Sequence, residues 1–122
     1  MTLLDTNALI WMLTGHARAR PLARLPRLYI SPASLLEIQL LIDIGRGRLV
    51  AGRSLSDIVR DRRWLQDEPP SGDWFLAATD LTWTRDPFDR LIVAHARVRG
   101  WKLATGDTVL AEHLPERTLV RL

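Results

Sequence analysis

Short apolar runs at Thr2–Leu4, Arg27–Ser31, Trp101–Thr105 and Thr118–Leu122 alternate with longer segments of helical period, and this alternation constrains the fold more than any other feature. Strands separated by helices do not pair as hairpins. They assemble in parallel, with the helices covering both faces of the sheet, so the pattern predicts a doubly wound α/β fold. Local signals punctuate the helices. Asp5 opens a helix over Ala8–Leu13, which Gly15 and an Arg-Pro stretch break. Ser31-Pro32 supplies an N-cap and a first-turn proline for a helix running to about Ile44 and stopping at Gly45 or Gly47. Ser54 or Ser56 caps a further helix through about Leu65, Gln66–Gly72 reads as a loop, and Asp73–Leu81 reads as a helix. Asp86-Pro87 opens a helix ending at Gly100, and Thr108–His113 is a short one. The 122 residues fit one domain, 1–122, with no repeat or linker.

No apolar run approaches the roughly 20 residues that span a bilayer, so no membrane partner is expected. The opening Met-Thr-Leu-Leu-Asp carries no export signal, and a cytoplasmic location is the expectation. With zero cysteines, neither disulfides nor thiolate metal sites are open to the chain, and any metal must be held by oxygen or imidazole. Hard cations such as Mg2+ or Mn2+ fit that restriction. The basic residues are almost all arginine, Lys102 being the single lysine, and the pI is about 10.5. Arginine forks suit phosphate, although genomic base composition accounts for an arginine-rich chain equally well. If the acids gather in one cleft, the remaining surface is basic enough to steer a polyanion.

Asp5, Glu37, Asp89 and Asp107 occupy positions that a strand or helix would otherwise fill with an apolar residue or a turn. In a doubly wound sheet, ligands bind beyond the carboxyl ends of the strands, and Asp5 and Asp107 fall there. Taken singly, each reads more simply as a helix cap. Glu37 is more telling, because Ala33, Leu40, Leu41 and Ile44 are its neighbours at helical spacing, and an inward glutamate costs several kcal/mol unless paired or metal-bound. Asp86-Pro-Phe-Asp89 resembles a capping box, yet Ile92, Val93 and Ala96 at the helical spacings of Asp89 turn it partly inward. His95, within a helix, reads as a hydrogen-bonded structural residue. Arg90 is a candidate for a substrate phosphate, with an exposed helix arginine as the commoner account. Among the tryptophans, Trp11, Trp64 and Trp83 sit in core-like contexts, and Trp74 is expected to be the most exposed.

Four motifs carry a family resemblance: Leu4-Asp5-Thr6-Asn7-Ala8-Leu9-Ile10-Trp11, Ile30-Ser31-Pro32-Ala33-Ser34-Leu35-Leu36-Glu37, Asp86-Pro87-Phe88-Asp89-Arg90-Leu91-Ile92-Val93-Ala94 and Leu103-Ala104-Thr105-Gly106-Asp107. In this order, with eighteen positions between Asp89 and Asp107, they resemble the PIN-domain ribonucleases, and closely the VapC-type toxins of type II toxin-antitoxin modules, over nearly the whole chain. The resemblance implies a single PIN-like domain and an endoribonuclease dependent on Mg2+ or Mn2+. Asp5, Glu37, Asp89 and Asp107 would be its catalytic and metal-binding carboxylates, with Thr6, Asn7, Asp86 and Thr105 as supporting polar residues. It also implies a cognate antitoxin, seated in a groove among the early helices, and a homodimer. One departure stands out: the strand that similar toxins carry between Leu65 and Asp86 is missing from the reading, which finds only the loop Gln66–Gly72.

The chemistry explains the acids. Phosphodiester hydrolysis needs an activated water and a counter-charge for the transition state and leaving oxygen, which one or two divalent ions supply. Asp5 and Asp107 are the candidates for direct ligands; Glu37 and Asp89 are candidates for a second ion or for positioning water. A haloacid-dehalogenase-like phosphatase also begins with a strand ending in aspartate, but needs a second aspartate two residues on, where this chain has Asn7. A DNA nuclease and a non-catalytic interaction protein are the other readings, and only the resemblance favours RNA.

Overall fold

The structure, a computed structural model, describes residues 1–49 and 53–122. Its five strands, β1 (Thr2–Leu4), β2 (Leu28–Ile30), β3 (Leu65–Gln66), β4 (Lys102–Thr105) and β5 (Leu119–Arg121), form one sheet in the order β3-β2-β1-β4-β5. Every neighbouring pair is parallel, as the strand and helix alternation requires. The helices are α1 (Thr6–Thr14), α2 (Pro32–Asp43), α3 (Leu55–Arg60), α4 (Ser71–Thr79), α5 (Pro87–Arg99) and α6 (Thr108–His113), with 3-10 helices at Ala17–Arg24 and Glu116–Thr118.

Alternation along the strands divides the core in two. Leu3 and Leu103 face a cluster with Trp74, Ala78, Leu81, Ile92 and Val93 under α4 and α5. Leu4, Ala104, Leu28 and Ile30 face the other way, onto Ala8, Leu9, Leu22, Ile58 and Trp64. Helices therefore cover both faces, as expected. Among the described residues no helix is long and apolar enough to cross a membrane.

The strand missing from the sequence reading exists. The Ser54-capped helix, expected through about Leu65, ends at Arg60, and Leu65–Gln66 leaves it to pair in parallel with Tyr29 and Ile30 at the edge of the sheet. Ser54 is the cap, in a reciprocal capping box with Asp57. Trp74 corrects a second expectation. It is buried at 6% exposure, with its indole N–H donated to the Leu91 carbonyl at 2.7 Å. On α2 the inward face is Ala33, Ser34 and Ile38, whereas Leu40 and Ile44, expected beside them, are exposed.

His95 is structural, as its mid-helix position predicts. It is fully buried, and its Nε2 meets Asp67 Oδ2 at 2.7 Å; Arg99 binds the same carboxylate through Nε and Nη2 at 2.8 and 3.1 Å. Because an ionised carboxylate only accepts, Nε2 carries the proton. Burial alone would raise the Asp67 pKa, but the hydrogen bonds from Arg99 and His95 outweigh it and hold the carboxyl below its ordinary value. The network locks the segment after β3 onto α5.

Candidate active site

β1 lies between β2 and β4 at the point where strand order reverses, so the crevice beyond its carboxyl end is the natural ligand site of the sheet. Asp5 leaves β1 there, and Asp107 leaves β4 one glycine later. Both are helix caps: Asp5 Oδ1 accepts from the Ala8 amide at 2.7 Å, and Asp107 Oδ1 accepts from Val109 and Leu110 at 2.8 and 3.2 Å. Capping and a site role do not compete here. Each cap uses one oxygen, which fixes the carboxylate plane and leaves the second oxygen free of backbone partners.

Glu37 enters from α2 and Asp89 from the first turn of α5, a helix packed against α2. The Thr6 hydroxyl is the hydrogen-bond partner of Glu37, and among the described residues the Asp89 carboxylate has none. The capping box that would have explained Asp89 is not formed. Asp86 alone caps α5, through Phe88 and Asp89 amides at 2.8 and 3.3 Å, and its own amide donates to Thr84 Oγ1 at 3.2 Å instead of to Asp89. Asp89 is thereby left facing the crevice.

The four acids line one cavity of about 200 Å3, together with Thr6, Asn7, Leu41 and Leu110. Of the other expected site residues, Asp86 is exposed on the α5 N-terminus and does not line the cavity. Thr105 is buried beneath it, accepting the Asp107 amide at 3.0 Å while its hydroxyl favours the ionised form of Asp5. Arg90 is outside the lining, with its Nε donated to the Thr84 carbonyl at 2.7 Å. Ser34 is a residue that sequence reasoning missed. Its hydroxyl meets that of Thr6 at 3.1 Å, and since hydroxyl protons rotate, Ser34 can donate to Thr6 and free Thr6 to donate to Glu37. A serine three positions before Glu37 on the same helix face was the available signal.

Electrostatics bind the four together. Burial raises the Asp5 pKa, with the Asp107 charge adding to it, and burial followed by the Asp86 and Asp5 charges raises Glu37. Asp89 is pushed up to about 7, first by burial and then by the charges of Asp86, Glu37, Asp107 and Asp5. Such a site attracts cations. Among the described residues no group of three His, Asp or Glu side chains is gathered tightly enough to encage an ion. The donor set, all oxygen, is of the kind that hard cations take.

A comparison with curated proteins finds no match. Solved structures are similar in fold. A toxin-antitoxin complex from Klebsiella pneumoniae superposes with a TM-score of 0.71 at 19% identity, covering 98% of this chain and 96% of that one. The sarcin-ricin-loop-cleaving toxin VapC20 of Mycobacterium tuberculosis gives 0.67 at 19% identity over 100% of both chains. VapBC2 from Rickettsia felis, bound to a DNA fragment from its promoter, gives 0.66 at 17% identity over 98% and 97%. The model of the PIN domain matches residues 2–113, nearly the entire chain, and the protein belongs to the PIN domain family.

Proposed function

We propose that this protein is a divalent-metal-dependent endoribonuclease, the toxin of a toxin-antitoxin pair, which hydrolyses RNA phosphodiester bonds at the acidic cavity. The observation that carries the proposal is the convergence of Asp5, Glu37, Asp89 and Asp107, from four separate segments, on one cavity at the strand-order reversal. Family membership and a fold shared with a toxin described as cleaving the sarcin-ricin loop support the choice of RNA.

In this reading Asp5 and Asp107 would hold Mg2+ or Mn2+, which when bound would supply charge neutralisation for the phosphate and acidify water. Glu37, steadied by the Thr6 hydroxyl, and Asp89, which has no hydrogen-bond partner among the described residues, accept protons from water and orient it toward phosphorus. Thr6 and Thr105 hold the carboxylates in place, and Asn7 lines the cavity as a polar contact. Asp86 adds negative charge beside Glu37 and Asp89, and Arg90 is the candidate for a flanking phosphate.

An antitoxin segment has a place beside the site. A groove of about 220 Å3 between α1, α2 and α3 is lined by Ile10, Leu13, Ile38, Leu41, Ile42 and Ile58 and edged by arginines. Leu41 also lines the acidic cavity, so the groove adjoins it. The toxin-antitoxin complex from K. pneumoniae supports such a partner. A homodimer would draw on the exposed Leu36, Leu40 and Ile44 of α2. The cytoplasm is the proposed site of action, where RNA and antitoxin are met.

The test is cleavage of total cellular RNA, with single-stranded DNA in parallel, by purified protein freed of antitoxin. Discrete RNA fragments are expected with Mg2+ or Mn2+, none with chelator, and none from Asp5→Asn. Cleavage of DNA alone would replace the substrate assignment, and cleavage unaffected by Asp5→Asn would remove the acidic cavity from the reaction. Glu37→Gln is expected to lower the rate at least ~100-fold, the usual scale for losing a group that handles a proton or orients water. A fully active Glu37→Gln would remove Glu37 from the site.

A further inference from the structure

The Thr105–Asp107 turn joins two functional groups, since Thr105 favours the ionised form of Asp5 and Asp107 lines the cavity. Its middle residue is Gly106, whose φ is not positive, so backbone conformation does not demand glycine. Space does. A Cβ there would lie 2.5 and 2.8 Å from Cη2 and Cζ3 of Trp11 and 2.6 Å from Nη2 of Arg18. Arg18 lies over the Trp11 ring at 4.3 Å, and its Nη2 donates to the carbonyls of Gly106 and Leu122 at 3.3 and 3.0 Å. Arg18 is itself tethered, its amide donating to His16 Nδ1 at 3.0 Å, and His16 stacks on Trp11 at 5.5 Å. An otherwise exposed arginine thus spans from the first helical layer to the turn that carries a site carboxylate.

We propose that Trp11 and Arg18 form a clamp on Gly106 that sets the Asp107 carboxylate in register with Asp5, making both of them positioning residues of the acidic site. The proposal rests on the reading of that site as a metal-dependent nuclease centre. The physical basis is that the three atoms nearest to a Cβ at Gly106 all belong to Trp11 and Arg18. Without the planar guanidinium on the indole and its bonds to two carbonyls, Asp107 would keep its cap on α6 but lose its fixed distance from Asp5. Misplacements of about 1 Å cost on the order of 100-fold in rate, and loss of a partner that orients a metal ligand costs about 10–100-fold in metal affinity.

The experiment compares wild type, Arg18→Ala, Arg18→Lys and Gly106→Ala. The readouts are RNA cleavage, direct titration with Mn2+, melting temperature and amide hydrogen exchange. Arg18→Ala is expected to lower kcat and Mn2+ affinity, each by about 10–100-fold, with KM within about twofold and the melting temperature nearly unchanged, because exposed substitutions are usually almost neutral in stability. Arg18→Lys recovers part of the loss by reaching one carbonyl. Gly106→Ala shows the same losses, and placing it in a Trp11→Ala background costs little more than Trp11→Ala alone, since the space it needs is then open. Wild-type kcat and Mn2+ affinity in Arg18→Ala would overturn the clamp, as would a loss of activity that merely follows loss of folded protein. If the wild type neither binds Mn2+ nor cleaves RNA, the nuclease reading is what fails. Exchange at Gly106 and Asp107 then decides the clamp separately: faster exchange in Arg18→Ala upholds it, and unchanged exchange overturns it.

Discussion

Asp89→Asn is expected to abolish RNA cleavage and, in metal-free protein at pH 8, to raise the melting temperature. These are opposite effects on function and on stability, and a merely structural aspartate would not produce them. The folded-state pKa of Asp89 is about 7, against an ordinary value of 3.8. Between those values the folded chain holds a proton that the unfolded chain has released, so the Asp89 contribution to stability is fully present at low pH and is lost as pH rises through the window. Above about 7 the full penalty is present. At 1.36 kcal/mol per unit the shift would amount to about 4 kcal/mol, but Asp89 is half-buried beside a water-accessible cavity, and screening reduces the expected penalty to about 1–2 kcal/mol. Asparagine keeps the shape and removes the charge. The variant should therefore melt about 3–8 °C above wild type at pH 8 and together with it at pH 4, in thermal scans with chelator. Adding Mg2+ or Mn2+ should stabilise wild type more than the variant, closing the gap. A variant that melts lower than wild type at every pH would mean that Asp89 serves the α5 N-terminus and not the cavity.

The parts of this molecule that were legible in the sequence are those whose causes are local. Asp5, Ser31-Pro32, Asp86-Pro87 and Asp107 announce helix starts because a cap satisfies amides two or three residues away. The parallel sheet was legible because alternating strands and helices leave few other arrangements. Strand β3 was not: two residues with Leu65 largely exposed carry no periodicity, and only the distant Tyr29 and Ile30 make them a strand. Trp74 is expected to be the most exposed tryptophan, yet it is buried, with its indole N–H on the Leu91 carbonyl of α5, 17 positions away. On α2, helical spacing selected Leu40 and Ile44 as companions of Glu37. The burial of a helix depends on how it is rolled against its neighbours, and here the roll leaves Glu37 at the margin of the buried face, the position from which a carboxylate can reach a water-filled cavity.

The acidic site was half legible for the same reason. That four carboxylates belonged together came from motif resemblance; that Asp5 and Asp107 would meet follows from the pairing of β1 with β4, which no spacing in the sequence encodes. The Arg18 contact lay further out of reach, because it joins positions 88 residues apart through a 3-10 helix that reads as an irregular Arg-Pro stretch.

Removing Asp67 is the second change with a large expected effect, and it acts on stability alone. His95 is fully buried, and its Nδ1 already has no partner among the described residues. Asp67→Ala would leave Nε2 unpaired as well, stranding an imidazole with two unsatisfied nitrogens between Trp74 and Trp101. An orphaned buried polar group of this kind costs about 1–3 kcal/mol, so denaturant midpoints should fall by the equivalent and the melting temperature by about 3–12 °C. Asp67→Asn should lie between, because an amide oxygen still accepts from Nε2 but the charge assistance is gone. Acid should expose the same lock. Burial holds the His95 pKa below 6.5, so as pH falls below that value the unfolded chain takes up a proton first and stability declines; the depressed Asp67 pKa extends the decline to lower pH. That slope is opposite in sign to the one from Asp89. Asp67→Ala should remove the part of the acid limb that comes from Asp67 and deepen the part that comes from His95, whose pKa Asp67 holds up against burial, while the loss of stability between pH 4 and pH 8 that Asp89 causes persists. RNA cleavage by the folded fraction should survive, since Asp67 sits beyond the edge strand β3 and lines no part of the acidic cavity. If Asp67→Ala instead melts with wild type, His95 has another means of satisfying its ring, and the segment after β3 is held by packing of Trp74 rather than by charge.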